Sequence, residues 1–160
     1  MDLEAGQFNG RLAFEDLLRE ALARAAREGW PEMVWSDATF VDWPLRERVV
    51  AESLHAWAAA GRRLTLLAAR YDEVLRHQPR FVTWRQTWGH LVDCRVVRNV
   101  ATVDFPSALW SPHWCLHRTD LTRSNGVWSV ERGRLMTVRE LLTERLRNSS
   151  PGFSASVLGL

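Results

Sequence analysis

From Leu64 to Ala69 the chain reads LTLLAA, and with Arg63 in front the run holds one polar residue past its first. A segment this short and this evenly apolar suits a strand covered on both faces, as in a parallel sheet. Upstream, Glu32 to Ser36 (EMVWS) is a second short apolar run, set after the breaker residues Gly29 and Pro31, and it also reads as a strand. Between the two, Leu45, Val49, Val50, Leu54 and Trp57 form a helical stripe. Asp42 is placed to cap that helix, Pro44 sits in its first turn, where a missing N–H costs little, and Gly61 ends it. Strand, helix and strand in this order form a right-handed βαβ unit by default.

The pattern continues on either side. Arg11 to Glu28 carries Phe14, Leu17, Leu18, Ala21, Leu22 and Ala25 at spacings of three and four, which predicts a helix with Asn9 as its cap and Gly29 at its end. Tyr71 to Arg76 reads as a short helix. Pro79 opens another, PRFVTWRQTWGH, with Phe81, Trp84 and Trp88 on one side and Gly89 as its stop. Leu91 to Val97 (LVDCRVV) is a third strand. Beyond it, Ser107–Trp110, His113–Thr119 and Val127–Val130 are short runs separated by SP and SNG, the pattern of antiparallel strands and hairpins. Leu135–Arg147 is a final helix. The expected fold class is α/β, a mixed β-sheet flanked by helices. It is expected as one domain over residues 1–148, with a C-terminal tail, 149–160, that is extended and docks Phe153, Val157 and Leu158 on a groove of its own or another chain.

Composition narrows the chemistry. All 21 basic residues are arginine, and the chain contains no lysine. That excludes a phosphate-loop lysine, a Schiff base and a Ser–Lys pair. The net charge of +2 gives no global pull towards nucleic acid, although residues 95–160 hold 9 arginines against 5 acids. Nine tryptophans, scattered without a repeat, are expected in the core or at an interface. Two cysteines, Cys94 and Cys115, are too few for a disulfide scaffold. There is no basic-then-apolar start and no apolar stretch near the roughly 20 residues of a membrane helix, so a cytoplasmic protein with no membrane partner is expected.

The segment His113 to Asp120, HWCLHRTD, carries the densest chemistry. As a strand it points His113, Cys115 and His117 one way and Trp114, Leu116 and Arg118 the other. The two histidines would then lie about 13 Å apart, too far for one tetrahedral ion, and no metal site is expected. A reactive Cys115 would need partial exposure and positive surroundings, whereas a mid-strand position between Trp and Leu predicts a buried, inert thiol.

The same segment, with the order of strands and helices around it, resembles half of a phospholipase D-like domain. That superfamily places H-x-K-x-x-x-x-D on a late strand. His113 falls on its histidine, the nucleophile, and Asp120 on its aspartate. Cys115 falls on the lysine that holds the phosphate. Two such halves pair, within a chain or across a dimer, to complete one phosphodiesterase site. Without the lysine, the positive charge that stabilises the phosphoryl transition state is missing. The resemblance therefore implies a degenerate phospholipase D-like domain acting as a non-catalytic binding or structural module, with a homodimer as the expected state. The alternative it leaves is a phosphodiesterase, or a phosphate- or nucleic-acid-binding protein, using His113 with arginine support. The phrases DATFVDWPL, RRLTLLAARYD, PRFVTWRQTWGH and SSPGFSASVLGL also resemble a group of short bacterial proteins, a likeness that implies no activity.

Two further groupings are candidate ligand sites. Asp37 and Asp42 on the loop leaving the first strand, with Tyr71 and Asp72 on the loop leaving the second, share the carboxyl edge of a parallel sheet, where ligands bind. Capping and turn formation by those aspartates is the competing reading. Arg80, Arg85, Arg95 and Arg98, with Trp84 or Trp88 as a platform, would make a phosphate patch, Arg85 and Trp88 lying three apart on one helix. A small phosphate-containing ligand is the expected class; nucleic acid and cofactors are not expected.

Overall fold

The computed structural model describes residues 4–60 and 62–153; the tail residues Val157 and Leu158 lie outside them. Eight strands form one mixed sheet: β1 (Ala5–Phe8), β2 (Glu32–Ser36), β3 (Arg63–Ala68), β4 (Val92–Val96), β5 (Ser107–Trp110), β6 (Cys115–Asp120), β7 (Asn125–Ser129) and β8 (Ser150–Pro151). Their order across the sheet is β1-β7-β6-β5-β2-β3-β4-β8. The βαβ expectation holds, since β2 pairs parallel with β3 and β3 with β4. The later strands are antiparallel to their neighbours. Among the described residues the α-helices are α1 (Arg11–Glu28), α2 (Arg48–Ala58), α3 (Asp72–His77), α4 (Pro79–Thr87) and α5 (Arg132–Arg147).

Local chemistry sets most boundaries. Gly29 takes φ 67°, ψ 51° and its N–H returns to Ala25 O, the left-handed cap that ends α1. At the other end of that helix the cap is Gly10, not Asn9, and no side chain caps it. Instead the Asn125 carboxamide reaches across from β7 and accepts from Gly10 N at 3.1 Å. α2 begins at Arg48, later than Asp42 and Pro44 suggest, because Trp43 and Leu45 are drawn into the core before the helix starts. The tail adds Ser150–Pro151 to β4 as an edge strand, so residues past 148 join the sheet.

The two faces of the sheet differ. One face packs against α1, α2 and α4 around five fully buried tryptophans, Trp30, Trp35, Trp43, Trp57 and Trp114. Their rings meet at ordinary aromatic distances, Trp35 to Trp43 at 5.5 Å and Trp30 to Trp114 at 6.0 Å. Trp57 Nε1 donates to Trp30 O at 2.8 Å, which satisfies one indole inside this layer. The other face is covered by α5, which packs Val138 and Leu142 on Ala108, Trp110 and Cys115.

Gly126 shows how closely β6 and β7 approach. A Cβ at this position would press on the His117 carbonyl and come within 2.7 Å of the Phe8 ring. Gly126→Ala is therefore expected to lower stability by about 1–3 kcal/mol, the range for overpacking, read as a shift of the urea midpoint. A midpoint unchanged from the parent would show that β1 and β7 are free to separate.

Candidate functional site

β2 and β6 both run antiparallel to β5, so they point the same way. This relation places the two ends of the HWCLHRTD segment at opposite edges of the sheet. His113 precedes β6 on the edge where β2 begins, and Arg118 and Asp120 end β6 on the edge where β2 gives way to Asp37. Asp120 closes β6 and His113 lies ahead of its first residue, so the two stand at opposite edges of the sheet and do not form one site. His113 is exposed and lies in the turn ahead of the strand, where Ser111 Oγ accepts from His113 N at 3.2 Å and from Trp114 N at 2.9 Å. Asp120 Oδ1 accepts from Arg123 N at 3.0 Å and shapes the β6–β7 turn.

The side-chain alternation holds from Trp114 to Arg118. Cys115 is 1% exposed under α5. Burial pushes its thiol up to about 11, with Arg134 acting in the other direction. It is a free cysteine, as is Cys94. A thiol reagent at pH 8 is expected to leave Cys115 unlabelled in the folded protein; labelling at the rate of the urea-unfolded chain would contradict that. His117 is half-buried on the same face, and burial, then Arg134, holds its imidazole below the ordinary 6.5. Its contribution to stability is present above pH 6.5 and is lost as the pH falls through its lowered value.

At the carboxyl edge the structure brings together Asp37, Asp42 and Arg118. Asp37 follows β2 directly, and its Oδ2 accepts from Thr39 N at 3.3 Å and Phe40 N at 2.8 Å, closing a turn in which Phe40 takes φ 60°. Its Oδ1 receives Arg118 Nη2 at 2.9 Å. Asp42 Oδ2 receives Arg118 Nη1 at 2.9 Å, and Arg11 stands 3.6 Å from the other oxygen. Ser107 Oγ accepts from Arg118 Nε, and Ser124 Oγ from Nη1, both at 3.1 Å. The guanidinium carbon lies 4.2 Å from the centroid of the Phe14 ring. Four of the five donor directions of Arg118 are thus engaged, and the side chain is 4% exposed. This is an ion-pair cluster in which the buried Arg118 spends its donors on Asp37, Asp42, Ser107 and Ser124, with Arg11 at its exposed rim.

The remaining carboxyl-edge candidates stay outside the cluster. Tyr71 is buried, stacks on Phe40, meets the Phe153 ring at a tilt, and donates its hydroxyl to Arg95 O at 2.9 Å; burial raises its ionisation well above the ordinary value. Asp72 is exposed in the first turn of α3.

The arginine patch is not assembled. Arg85 is buried, donating to Gly89 O and Phe153 O at 3.2 Å each, with its guanidinium over the Phe153 ring. Arg80 donates to Arg46 O and Arg95 to Ser149. Trp88 is half-buried on another side of the α4 turn, against His55 and His90. Among the described residues no three of His, Cys, Asp and Glu come together as a metal-binding group, and no helix is long and apolar enough to cross a membrane.

Arg118 is the central residue that sequence reasoning passed over. The signal was present. An arginine on the same strand face as Trp114 and Leu116 points into the core, and a buried guanidinium requires carboxylates.

No family model matches the chain, and neither does any curated protein. Solved structures do. TrmBL2, an archaeal chromatin protein described as showing a novel mode of DNA binding, superposes with a TM-score of 0.65 at 12% identity over 92% of this chain. The chain spans about half of that protein's length, 54%. NucT from Helicobacter pylori gives 0.63 at 8% identity, covering 94% of this chain and 99% of that one. Nuc from Salmonella typhimurium, a phospholipase D family member, gives 0.61 at 11% identity, covering 94% and 100%. The chain therefore has a phospholipase D-like fold.

Proposed function

We propose that this chain is a non-catalytic binding module on a phospholipase D-like fold. The observation that carries this reading is the surroundings of Cys115, which falls where the resemblance puts the phosphate-holding lysine. It is roofed by α5 and packed against Trp110, Val138 and Leu142. An ammonium group there would meet side chains in place of substrate. The nearest arginine along β6, Arg118, is neutralised by two carboxylates on the other face. With no lysine elsewhere in the sequence, no anion clamp of the family's type is available. Purified protein is expected to hydrolyse bis(4-nitrophenyl) phosphate no faster than buffer, and His113→Ala to change nothing. Turnover that disappears in His113→Ala would overturn the proposal.

One observation favours a second reading, phosphate or nucleic-acid binding with arginine support. The His113 turn borders a hollow of about 430 Å³ that Pro112 shares with Trp110, Arg132 and Arg139. Arg139 lies 4.5 Å from the centroid of the Trp110 ring and 3.6 Å from Glu32. The DNA binding described for TrmBL2 makes an oligonucleotide the natural probe. On this reading, affinity falls steeply with salt and the double variant Arg132→Glu, Arg139→Glu abolishes it. Binding unaffected by either would remove this reading.

A further inference from the structure

A groove of about 620 Å³ runs between α2 and α4 on their exposed side. Ala51 and His55 line it from α2, Thr83, Trp84 and Thr87 from α4, and Trp88 from the turn that follows. What the groove presents is mostly carbon. The indole nitrogens of Trp84 and Trp88 are buried away from it, so both side chains border it through ring carbon. Thr87 turns its hydroxyl back to donate to Thr83 O at 3.1 Å. His55 and Trp88 meet edge to face, ring centroids 5.7 Å apart, and close one end with an aromatic wall. An open apolar face of this kind between two helices suits an uncharged, apolar occupant.

The chain itself leads towards this groove. β8 lies along β4, and Gly152 N donates to Cys94 O at 3.0 Å, which carries the contact past Pro151. A Cβ on Gly152 would press on Val96, so the backbone passes close against β4. Phe153 follows, with its ring against Tyr71 at 5.3 Å and under the Arg85 guanidinium. Arg85 donates from Nη2 to Phe153 O and from Nη1 to Gly89 O, at 3.2 Å each. Two carbonyl oxygens held by one planar fork stand within about 9 Å of each other. The chain therefore leaves Phe153 beside the turn that ends α4, and the residue before Gly89 is the groove residue Trp88. Arg85 is on the buried side of α4 and the groove on its exposed side, so the short route between them is around this helix end.

The next residues fit that route. Ser154 to Leu160 reads SASVLGL, three small residues and then Val157, Leu158 and Leu160, with no charge among the seven. Three residues extend about 10 Å, enough to round the end of a helix. The following four extend about 13 Å, the length of a helix of nine residues such as α4. We propose that residues 154–160 dock in the α2–α4 groove of their own chain. Ser154, Ala155 and Ser156 pass Gly89, and Val157, Leu158 and Leu160 cover Trp88, Trp84 and Ala51. The groove is then an interaction surface whose partner is written into the same polypeptide. The proposal is independent of the non-catalytic reading, which the hydrolysis assay decides separately.

Two measurements on the full chain test it. The first follows the nine indole N–H signals of ¹⁵N-labelled protein, with Trp88→Phe used to assign one of them. In the double variant Val157→Asp, Leu158→Asp the Trp88 signal is expected to move, because an aspartate does not stay against ring carbon. Adding the free peptide SASVLGL to that variant should return the signal to its parental position and saturate, while the signals of Trp35 and Trp57 in the core stay in place. The second is cross-linking. Cys94 and Cys115 are buried and do not compete. Thr87→Cys paired with Val157→Cys is expected to close a disulfide within one chain under mild oxidation, since the two positions come within bonding reach. The control pair, Met136→Cys with Val157→Cys, places one thiol on α5 over the opposite face of the sheet and should react at least about tenfold more slowly. The proposal fails if the double variant leaves the Trp88 signal unmoved, if the peptide does not restore it, or if the control pair closes as fast. It fails too if the disulfide forms between chains, which would make a second copy the occupant.

Discussion

Arg118→Met is expected to cost about 3–5 kcal/mol, the range for breaking a buried charge pair by removing one partner. Asp37 has 6% of its side chain exposed and would keep only the Thr39 and Phe40 amides. Ser107 and Ser124 would lose a donor as well. Methionine conserves much of the arginine's apolar stem and its contact with Phe14, so the loss reports the charge more than the packing. Adding Asp37→Asn should recover part of it. The carboxamide still accepts from Phe40 N while the uncompensated charge is gone, and the double variant should be more stable than Arg118→Met alone by about 1.5 kcal/mol or more. Urea is the appropriate denaturant, because guanidinium would screen the pair. A cost below about 1 kcal/mol for Arg118→Met would mean that the cluster behaves like a surface ion pair and does not hold the carboxyl edge together.

That cluster also shows where sequence reading reached and where it stopped. The β2–α2–β3 unit was legible because its apolar runs have only one solution, strands covered on both sides. Asp37 and Asp42 were legible as an edge pair. Their partner was not, because Arg118 lies 81 residues from Asp37 and only the sheet order brings the two together. For the same reason Asp42 is a poor guide to the start of α2: pairing with Arg118 and burial of Trp43 outweigh its capping propensity. β1 went unread since AGQF has little strand character of its own. Its pairing with β7, Ala5 opposite Ser129, is entirely non-local. His113 was read two residues too early into β6, where the Ser111 hydroxyl instead closes a turn. Arg85 and Trp88, three apart on one helix, were read as one patch, and that grouping fails. The guanidinium of Arg85 is drawn inward by the carbonyls of Gly89 and Phe153, one of them in the tail.

Cys115→Lys, which restores the motif's residue type, is expected to destabilise the protein by about 3–5 kcal/mol and to confer no hydrolysis. Cys115 is 1% exposed beneath α5, beside Ala108, Trp110, Val138 and Leu142. A lysine has three more side-chain heavy atoms to place in a filled space, and its ammonium would find no carboxylate in that cluster. Arg134, whose positive charge is already felt at this position, would oppose the ionised form further. The side chain would either lose its proton, which removes the clamp, or push α5 away from β5 and β6 to reach water. Cys115→Ala, which removes a single sulfur, should cost far less, about 1 kcal/mol. Comparing the two separates a lost contact from a forced charge. If Cys115→Lys keeps the parental urea midpoint and hydrolyses bis(4-nitrophenyl) phosphate, then α5 is a movable cover over a latent phosphodiesterase centre, and the non-catalytic reading is wrong.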